Sequence, residues 1–265
     1  MKTAAWPRVK RVVAAILCSN AMGKLVSWIY RDRIPWHGIV VNVADPAVLP
    51  RNKAALRFGF YESAERRFVK RYLLPDVDVV ELGSSIGAMS SQIAQRLQAG
   101  ARMICVEANP RTQTTLTKNL DQNAAGLQVE LIHAAIAYDG VDVEIGLSEN
   151  NLSSFRERDA SDVQRVMVPA VTLSNLLRQS GMETYQLVAD IEGAEAEILM
   201  KDGDALKNCS RVIIELHDTS VTGVSYCVAE LVSMFEALGF TILDEYGPVA
   251  VFENRRFTSF RALSA

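Results

Sequence analysis

Apolar residues fall into two alternating patterns from Asp76 onward, and these patterns predict a regular succession of strands and helices. Short runs rich in β-branched residues are typical of buried strands, whereas apolar residues three and four apart are typical of helices that cover a sheet. The predicted strands span residues 77–82, 103–107, 129–135, 186–190, 211–216, 240–244 and 249–253. The predicted helices span residues 87–97, 111–123, 194–200 and 228–238. This succession indicates a Rossmann-like α/β domain with a mostly parallel sheet and helices on both faces.

A long segment, residues 138–181, interrupts this succession between the third and fourth strands. It begins polar and becomes apolar again at residues 168–173. Thr172 is placed to cap a short helix over residues 173–177. Insertions of this length usually shape binding sites, so we expect residues 138–169 to help select the substrate.

The first candidate site is a glycine turn at the end of the first predicted strand. Glu81 closes that strand, and the chain then runs through Gly83, Ser84, Ser85 and Gly87 into a helix. The two glycines are expected to leave the backbone open to a ligand, and the helix N-terminus supplies free N–H groups. The motif therefore predicts a nucleotide-like ligand at the carboxyl edge of the sheet.

The spacing of the glycines favours one class of nucleotide. The pattern is E-x-G-x-x-x-G, without the middle glycine that lets a pyrophosphate approach, and no G-x-x-x-x-G-K-[ST] occurs. S-adenosylmethionine has no phosphate, and its ammonium group suits a carboxylate such as Glu81. A cofactor of this kind is favoured, an NAD-dependent oxidoreductase is disfavoured, and an ordinary tight turn remains the alternative without function.

Carboxylates close the next strands as well. Glu107 follows the second strand, where its oxygens can accept hydrogen bonds from both ribose hydroxyls. Asp190 and Glu192 follow the fourth strand, and Glu215 and His217 lie at the end of the fifth. Because the ends of neighbouring parallel strands converge, these four side chains are expected to line one pocket beside the cofactor.

The pocket residues allow several roles. His217 is the natural general base by its ordinary pKa, with Asp190 or Glu192 as carboxylate alternatives. The same cluster is also suited to a divalent metal that orients two hydroxyls of the substrate. A purely structural role stays open too, with His217 ending a strand and Asp190 accepting N–H groups of the turn at Gly193.

Six segments resemble the FkbM family of S-adenosylmethionine-dependent methyltransferases. They are Tyr61-Glu62-x-x-Glu65, the loop from Glu81 to Gly87, Glu107-Ala108-Asn109-Pro110, Val168-Pro169-x-x-Thr172-Leu173, Asp190-Ile191-Glu192-Gly193-Ala194-Glu195 and the strand that contains Glu215. The acidic element at 190–195 is the most distinctive, whereas the glycine loop is common to the whole class. The similarity covers about residues 61–253.

This resemblance implies a class I methyltransferase fold of seven strands, the last one antiparallel, and methyl transfer to a hydroxyl of a sugar, glycan or polyketide. It implies cofactor contacts from Glu62, Glu81, Gly83, Ser84, Ser85, Gly87, Glu107, Ala108, Asn109, Ala135 and Asp190. The chain departs from the family where Ala189 replaces a common lysine and Ser84-Ser85 replace the usual Ala-Asn. An accessory protein that binds the cofactor or a glycan without turnover is the alternative from another class.

Composition further limits the class of protein and the kinds of partner that are expected. The 265 residues are 49% apolar and 22% charged with a net charge of −3, which fits one soluble domain and gives no reason to expect nucleic acid. The four cysteines show no metal-binding or disulfide spacing, so reduced thiols and a cytoplasmic location are expected. A homo-oligomer remains open.

The first 60 residues read as a basic extension, followed by the methyltransferase domain at residues 61–265. Seven basic residues precede residue 45, against the single early acid Asp32: Lys2, Arg8, Lys10, Arg11, Lys24, Arg31 and Arg33. The segment is suited to a membrane surface, to a partner protein, or simply to packing on the main domain. It contains no apolar run long enough to span a bilayer, and a signal peptide is a weaker alternative.

Overall fold

A computed structural model describes residues 16–147, 164–191 and 193–257, together with the backbone of residues 154–155. The N-terminal elements are α1 (Asn20–Tyr30), β1 (Arg33–Trp36), β2 (Ile39–Asn42), α2 (Pro50–Phe58) and α3 (Ser63–Tyr72). The first strand–helix units follow as β3 (Asp78–Leu82), α4 (Ala88–Arg96), β4 (Arg102–Val106), α5 (Gln113–Asn123) and β5 (Gln128–Ile132).

The insertion and the C-terminal half continue the series. The elements are β6 (Ala135–Ile136), β7 (Asp142–Leu147), β8 (Ser154–Phe155), β9 (Gln164–Val171), α6 (Leu173–Ser180), β10 (Tyr185–Ala189), α7 (Glu195–Lys201), α8 (Gly203–Leu206), β11 (Cys209–Glu215), β12 (Thr219–Val221), β13 (Val224–Tyr226), α9 (Val228–Ala237), β14 (Phe240–Tyr246) and β15 (Val249–Asn254).

The central sheet has seven strands in the order β14-β15-β11-β10-β3-β4-β5. β15, the last strand in sequence, pairs antiparallel with both β11 and β14, whereas β10, β3, β4 and β5 pair in parallel. The predicted α/β class and the antiparallel last strand are therefore confirmed. The strand order changes direction between β3 and β10, so the loops after these two strands form the crevice at which open α/β sheets bind ligands.

One predicted strand is shorter than expected. The apolar run at 129–135 divides at His133: β5 ends at Ile132, and Ala135 begins β6, which pairs in parallel with β9. β9 also pairs antiparallel with β7, and β7 pairs antiparallel with β8, so these four strands make a separate sheet. The predicted helix after Thr172 forms, and the Thr172 hydroxyl accepts a hydrogen bond from Asn175 N at 3.1 Å.

The N-terminal elements share the hydrophobic core that lies on one face of the central sheet. Trp36 is 1% exposed and belongs to the same buried cluster as Val79 and Ile86. Asn119 of α5 reinforces this contact, since its amide accepts from Asn42 N at 2.7 Å and donates to Asn42 O at 3.1 Å. β2 is therefore attached by both apolar packing and hydrogen bonds. None of the helices in the described ranges has the length and apolar character needed to cross a bilayer.

Candidate active site

The glycines of the loop after β3 lie in close contact with neighbouring parts of the protein, and the expected approach of a ligand to this loop stays a prediction. A Cβ atom on Gly83 would lie 1.9 Å from the carbonyl oxygen of Asp190. A Cβ atom on Gly87 would lie 2.9 Å from Leu116 Cδ1 and 3.2 Å from Leu116 O. Both glycines also have positive φ angles, +88° and +78°. Glycine is therefore required here because the loop presses against the β10–α7 turn and against α5.

Glu81 is enclosed beneath this loop. It is 2% exposed, and its Oε2 accepts hydrogen bonds from the hydroxyls of Ser84 at 2.8 Å and Ser90 at 2.5 Å. Burial raises the pKa of the Glu81 carboxyl, and the two hydroxyls oppose that shift. Glu81 therefore ties the loop to the first turns of α4. Its contact with the cofactor ammonium stays a prediction.

Glu107 bridges two loops at the end of β4. One carboxylate oxygen accepts from Ser85 N and the other from Asn109 N, both at 2.6 Å. The side chain is 5% exposed, and burial raises the pKa of Glu107 to about 7 although both hydrogen bonds lower it. Each carboxylate oxygen has a second lone pair, so the group can still accept two hydroxyl donors.

Tyr61, Glu62 and Ser85 join the N-terminal part of the chain to the glycine loop. The Tyr61 hydroxyl interacts with both Glu62 and Ser85, and Tyr61 and Glu62 are both partly buried. Glu62 and Ser85 have φ angles of 41° and 47°, in the left-handed region that ordinary residues rarely adopt. Such conformations persist where surrounding contacts fix them, and they are concentrated at ligand sites.

Glu62 also has a buried oxygen with nothing bound to it. Within the described part of the chain, its Oε2 is inaccessible to water and lacks a hydrogen-bond partner. Burial raises the pKa of Glu62 well above its usual range, and the charges of Glu65, Asp190 and Glu81 raise it further. An unsatisfied buried carboxylate is costly, so this atom marks a place for a cation or a hydrogen-bond donor.

A second group of carboxyls lies at the ends of β10 and β11. Glu65 of α3 is hydrogen-bonded to Glu215, and burial followed by this contact raises the pKa of Glu65 to about 8. Half-buried Asp190 is close enough to raise the pKa of Glu62, Glu65 and His217. Asp190 is thus at the centre of an acidic pocket beside the glycine loop.

His217 lies in this pocket between two carboxylates. Its Nδ1 lies 2.7 Å from Glu195 Oε1, and its Nε2 lies 3.3 Å from Glu215 Oε1. The hydrogen bonds to Glu195 and Glu215 raise the pKa of His217 to about 11, which outweighs the effect of partial burial. A protonated imidazole has no free lone pair, so this geometry does not support the interpretation of His217 as the general base.

The arrangement bears on the predicted metal site too. Asp190, Glu215 and His217 each place one ligand-type atom within 4.8 Å of the others. However, the imidazole faces a carboxylate with each of its nitrogens, and a cation there already balances the acids. Divalent-metal binding therefore stays a prediction from the sequence.

The remaining predicted site residues differ in their burial and in their position in the fold. Asn109 is fully buried, and the carbonyl of Ala108 lies 3.0 Å from His133 Nε2 just beyond β5. Ala135 is buried in β6, outside the central sheet. Glu192 lies outside the described residues, so its expected role stays a prediction.

Two residues of the pocket carried no assigned role in the sequence analysis. Glu195 is the last acid of the element at 190–195, has a side chain that is 0% exposed, and orients His217. Glu65 is the second acid of the segment at 61–65. Both acids stand in the quoted motifs, but only the folded chain shows that they meet strands distant in sequence.

The geometry provides two adjoining polar regions at one sheet edge. Glu107 and Glu62, joined through Ser85 and Tyr61, can hold hydroxyl donors and a cation. Asp190 and Glu215, with the fixed charge of His217, can meet the hydroxyls of a second molecule. Such a site is suited to transfer between two bound molecules.

Comparison with solved structures finds several methyltransferases, all at low similarity. Magnesium protoporphyrin IX methyltransferase from Synechocystis PCC 6803, with bound SAH, is 14% identical over 76% of this chain and 86% of that chain, with a TM-score of 0.44. Fibrillarin from Aeropyrum pernix, with natively bound S-adenosyl-L-methionine, is 13% identical over 71% of each chain, with a TM-score of 0.41. Precorrin-6y C5,15-methyltransferase from Geobacter metallireducens GS-15 is 15% identical over 72% and 87%, with a TM-score of 0.37.

No curated protein sequence matches the chain. The family model for the methyltransferase FkbM domain matches residues 82–242. The match covers more than half of the chain and runs from the end of β3 into β14, so it includes the glycine loop and the pocket residues of β10, α7 and β11, whereas Glu65 precedes it. The protein therefore belongs to the FkbM family of methyltransferases.

Proposed function

We propose that the protein is an S-adenosylmethionine-dependent O-methyltransferase whose acceptor is a hydroxyl of a sugar, glycan or polyketide-type molecule. The observation that carries this proposal is the pairing of Glu62 and Glu107 around the Ser85 loop. One supplies a buried carboxylate oxygen that lacks a partner, and the other supplies spare acceptor positions on a carboxylate that spans two loops.

These two groups fit the ends of the proposed cofactor. The Glu62 carboxylate would hold the ammonium of the amino-acid portion, since a cation satisfies a buried anion. The Glu107 oxygens would accept the two ribose hydroxyls, because each oxygen can accept more than its one 2.6 Å hydrogen bond from Ser85 N or Asn109 N. When bound, the cofactor supplies an activated methyl group on a sulfonium.

The acidic pocket then determines the acceptor chemistry. A hydroxyl must lose its proton to become a good nucleophile, and Asp190 is the carboxylate we assign to take it. His217, fixed by Glu195 and Glu215, would place a positive charge close to Asp190. An acceptor that is itself a carboxylate would be repelled by these acids, whereas a neutral polyol would find hydrogen-bond acceptors.

Calorimetric titration with S-adenosylmethionine and transfer of its labelled methyl group to hydroxylated acceptors test the proposal together. Asp190→Asn should reduce turnover far more than cofactor affinity, because it removes the proton acceptor and preserves shape. Glu130→Gln, an exposed change on β5, is the matched control and should alter neither quantity. The proposal would be refuted if the folded wild-type protein did not bind S-adenosylmethionine. Cofactor binding without methyl transfer to any acceptor would favour an accessory role.

A further inference from the structure

Helix α1 presents an apolar face to solvent. Trp28 is 79% exposed, Ile29 is 54% exposed and Leu25 is 47% exposed. These residues are three and four apart, so they lie on one side of the helix. Clustered exposure of large apolar side chains on one helix is a usual mark of an interaction surface.

The opposite face of α1 holds the helix in place. A Cβ atom on Gly23 would lie 1.7 Å from the carbonyl oxygen of Pro50, so the helix backbone is in close contact with the start of α2. Val26 on the same face is 3% exposed and belongs to the main core. α1 cannot rotate Trp28 inward without breaking these contacts.

Positive charge surrounds the apolar face. Lys24 and Arg31 are exposed at or beside the helix, and no described acid forms an ion pair with either. Asp32, the acid next to Arg31 in sequence, pairs with Lys53 at 2.7 Å. In the sequence, residues 1–15 add four more basic residues and no acid: Lys2, Arg8, Lys10 and Arg11.

We propose that the exposed face of α1 binds the surface of an anionic phospholipid bilayer. The apolar side chains would enter the boundary between headgroups and acyl chains, where an indole ring is favoured, and the basic side chains would contact lipid phosphates. A two-fold contact with a second copy is a poorer fit, since residues near the axis would bring Lys24 and Arg31 against like charges.

Vesicle co-sedimentation of the full chain tests this surface. Vesicles of equal parts phosphatidylcholine and phosphatidylglycerol should bind the protein roughly tenfold more tightly than pure phosphatidylcholine, and added salt should weaken the binding. The variant Leu25→Ser/Trp28→Ser should bind roughly tenfold more weakly, because the apolar insertion is lost. The control Val141→Ser/Met167→Ser changes residues that are 82% and 63% exposed, one just before β7 and one in β9, and it should bind like the wild type.

Two further measurements separate the contribution of the basic residues from the depth to which α1 enters the bilayer. Lys24→Glu/Arg31→Glu should reduce binding to anionic vesicles and leave the weak binding to neutral vesicles unchanged. Lipids with brominated chains should quench tryptophan emission in the wild type but much less in Trp28→Leu, which keeps an apolar residue. Trp36 is buried and serves as an internal reference.

Three results would overturn the proposal. Failure of the wild-type protein to sediment with anionic vesicles would refute the proposal. Equal vesicle binding by the wild type and Leu25→Ser/Trp28→Ser would show that the lipid contact lies outside the exposed face of α1. A dimer in light scattering that Leu25→Ser/Trp28→Ser dissociates would instead assign the face to contact between copies.

Discussion

Burial changes what the Glu107 carboxyl can do. In water a glutamate is fully ionised at neutral pH, but the pKa of Glu107 is raised to about 7 by its enclosed position. The carboxyl therefore titrates close to neutral pH. A neutral carboxyl is a poorer acceptor for ribose hydroxyls, so its ionisation should govern cofactor binding.

The substitution Glu107→Ala tests this contact. It removes the acceptors proposed for two ribose hydroxyls, and the cofactor should bind about 1–3 kcal/mol more weakly, roughly 5-fold to 150-fold in dissociation constant. Calorimetry measures the affinity, and circular dichroism checks that the variant is folded. Glu130→Ala changes an exposed acid on the adjacent strand and serves as the control. Equal affinities for wild type and Glu107→Ala would contradict the ribose assignment.

The same carboxyl predicts a pH dependence. Hydroxyl donors favour the ionised form, so wild-type affinity should rise with pH up to about 7 and level off above it. Going from a plateau at alkaline pH to one unit below that pKa should weaken binding by roughly tenfold. Glu107→Gln cannot ionise at this position and should flatten the profile below pH 7. A wild-type profile that is flat between pH 5 and 8 would show that Glu107 does not control binding.

His217 gives a third prediction about a single side chain. Because Glu195 and Glu215 hold its proton, the imidazole should remain protonated through neutral pH in a proton NMR titration. Glu195→Gln removes the shortest of these contacts and should bring the pKa of His217 down towards its ordinary range. A wild-type titration midpoint near 6.5 would instead restore His217 as a candidate base.

The glycine motif is explained by close contact between loops that follow different strands of the central sheet. Gly83 and Gly100 have nearly the same φ, +88° and +87°, but only Gly83 has a neighbour within 4 Å of the Cβ position. Gly100→Ala should therefore cost only the strain of its backbone angle, about 1–2 kcal/mol of unfolding free energy. Gly83→Ala adds a clash with Asp190 O and should cost at least about 3 kcal/mol.

Urea denaturation of both glycine variants measures this difference. Cofactor titration is also informative, because a shifted Asp190 turn should weaken function in Gly83→Ala even under conditions where the variant stays folded. If the two alanine variants were equally stable, the loop contact would be unimportant and the motif would be better explained by ligand approach.

The N-terminal segment is part of one core, and this links stability to the site. Trp36 packs edge-on against Tyr61, with ring centroids 6.1 Å apart, and Tyr61 contacts Glu62 and Ser85. Trp36→Ala should lower the unfolding free energy by about 3–5 kcal/mol and also weaken cofactor binding. Trp28→Ala, at a residue that is 79% exposed, is the matched control and should change neither by much. Unchanged cofactor affinity in folded Trp36→Ala would show that the two regions are uncoupled.

The extent of agreement between sequence and structure differs along the chain. The central strands and their helices were predicted to within two residues at most ends, because each has a strong local period and clear turn residues. The strands β1, β2, β7, β8, β9, β12 and β13 were not predicted, since they lie outside the central sheet and are short or contain polar residues. The run at 129–135 was read as one strand because its break at His133 depends on pairing with β9, which no local pattern reveals.

The amino-acid sequence alone determined the α/β class, the family resemblance and the acids at the strand ends. These features depend on hydrophobic period, turn chemistry and motif spacing, which act between near neighbours in the chain. Only the tertiary structure showed which contacts these residues make. The carbonyl oxygen of Asp190 occupies the space beside Gly83, and Glu195 forms a hydrogen bond with His217. The first two strands add to the hydrophobic core. Ionisation and close packing depend on burial and on contacts between residues far apart in sequence, so only the folded chain could establish them.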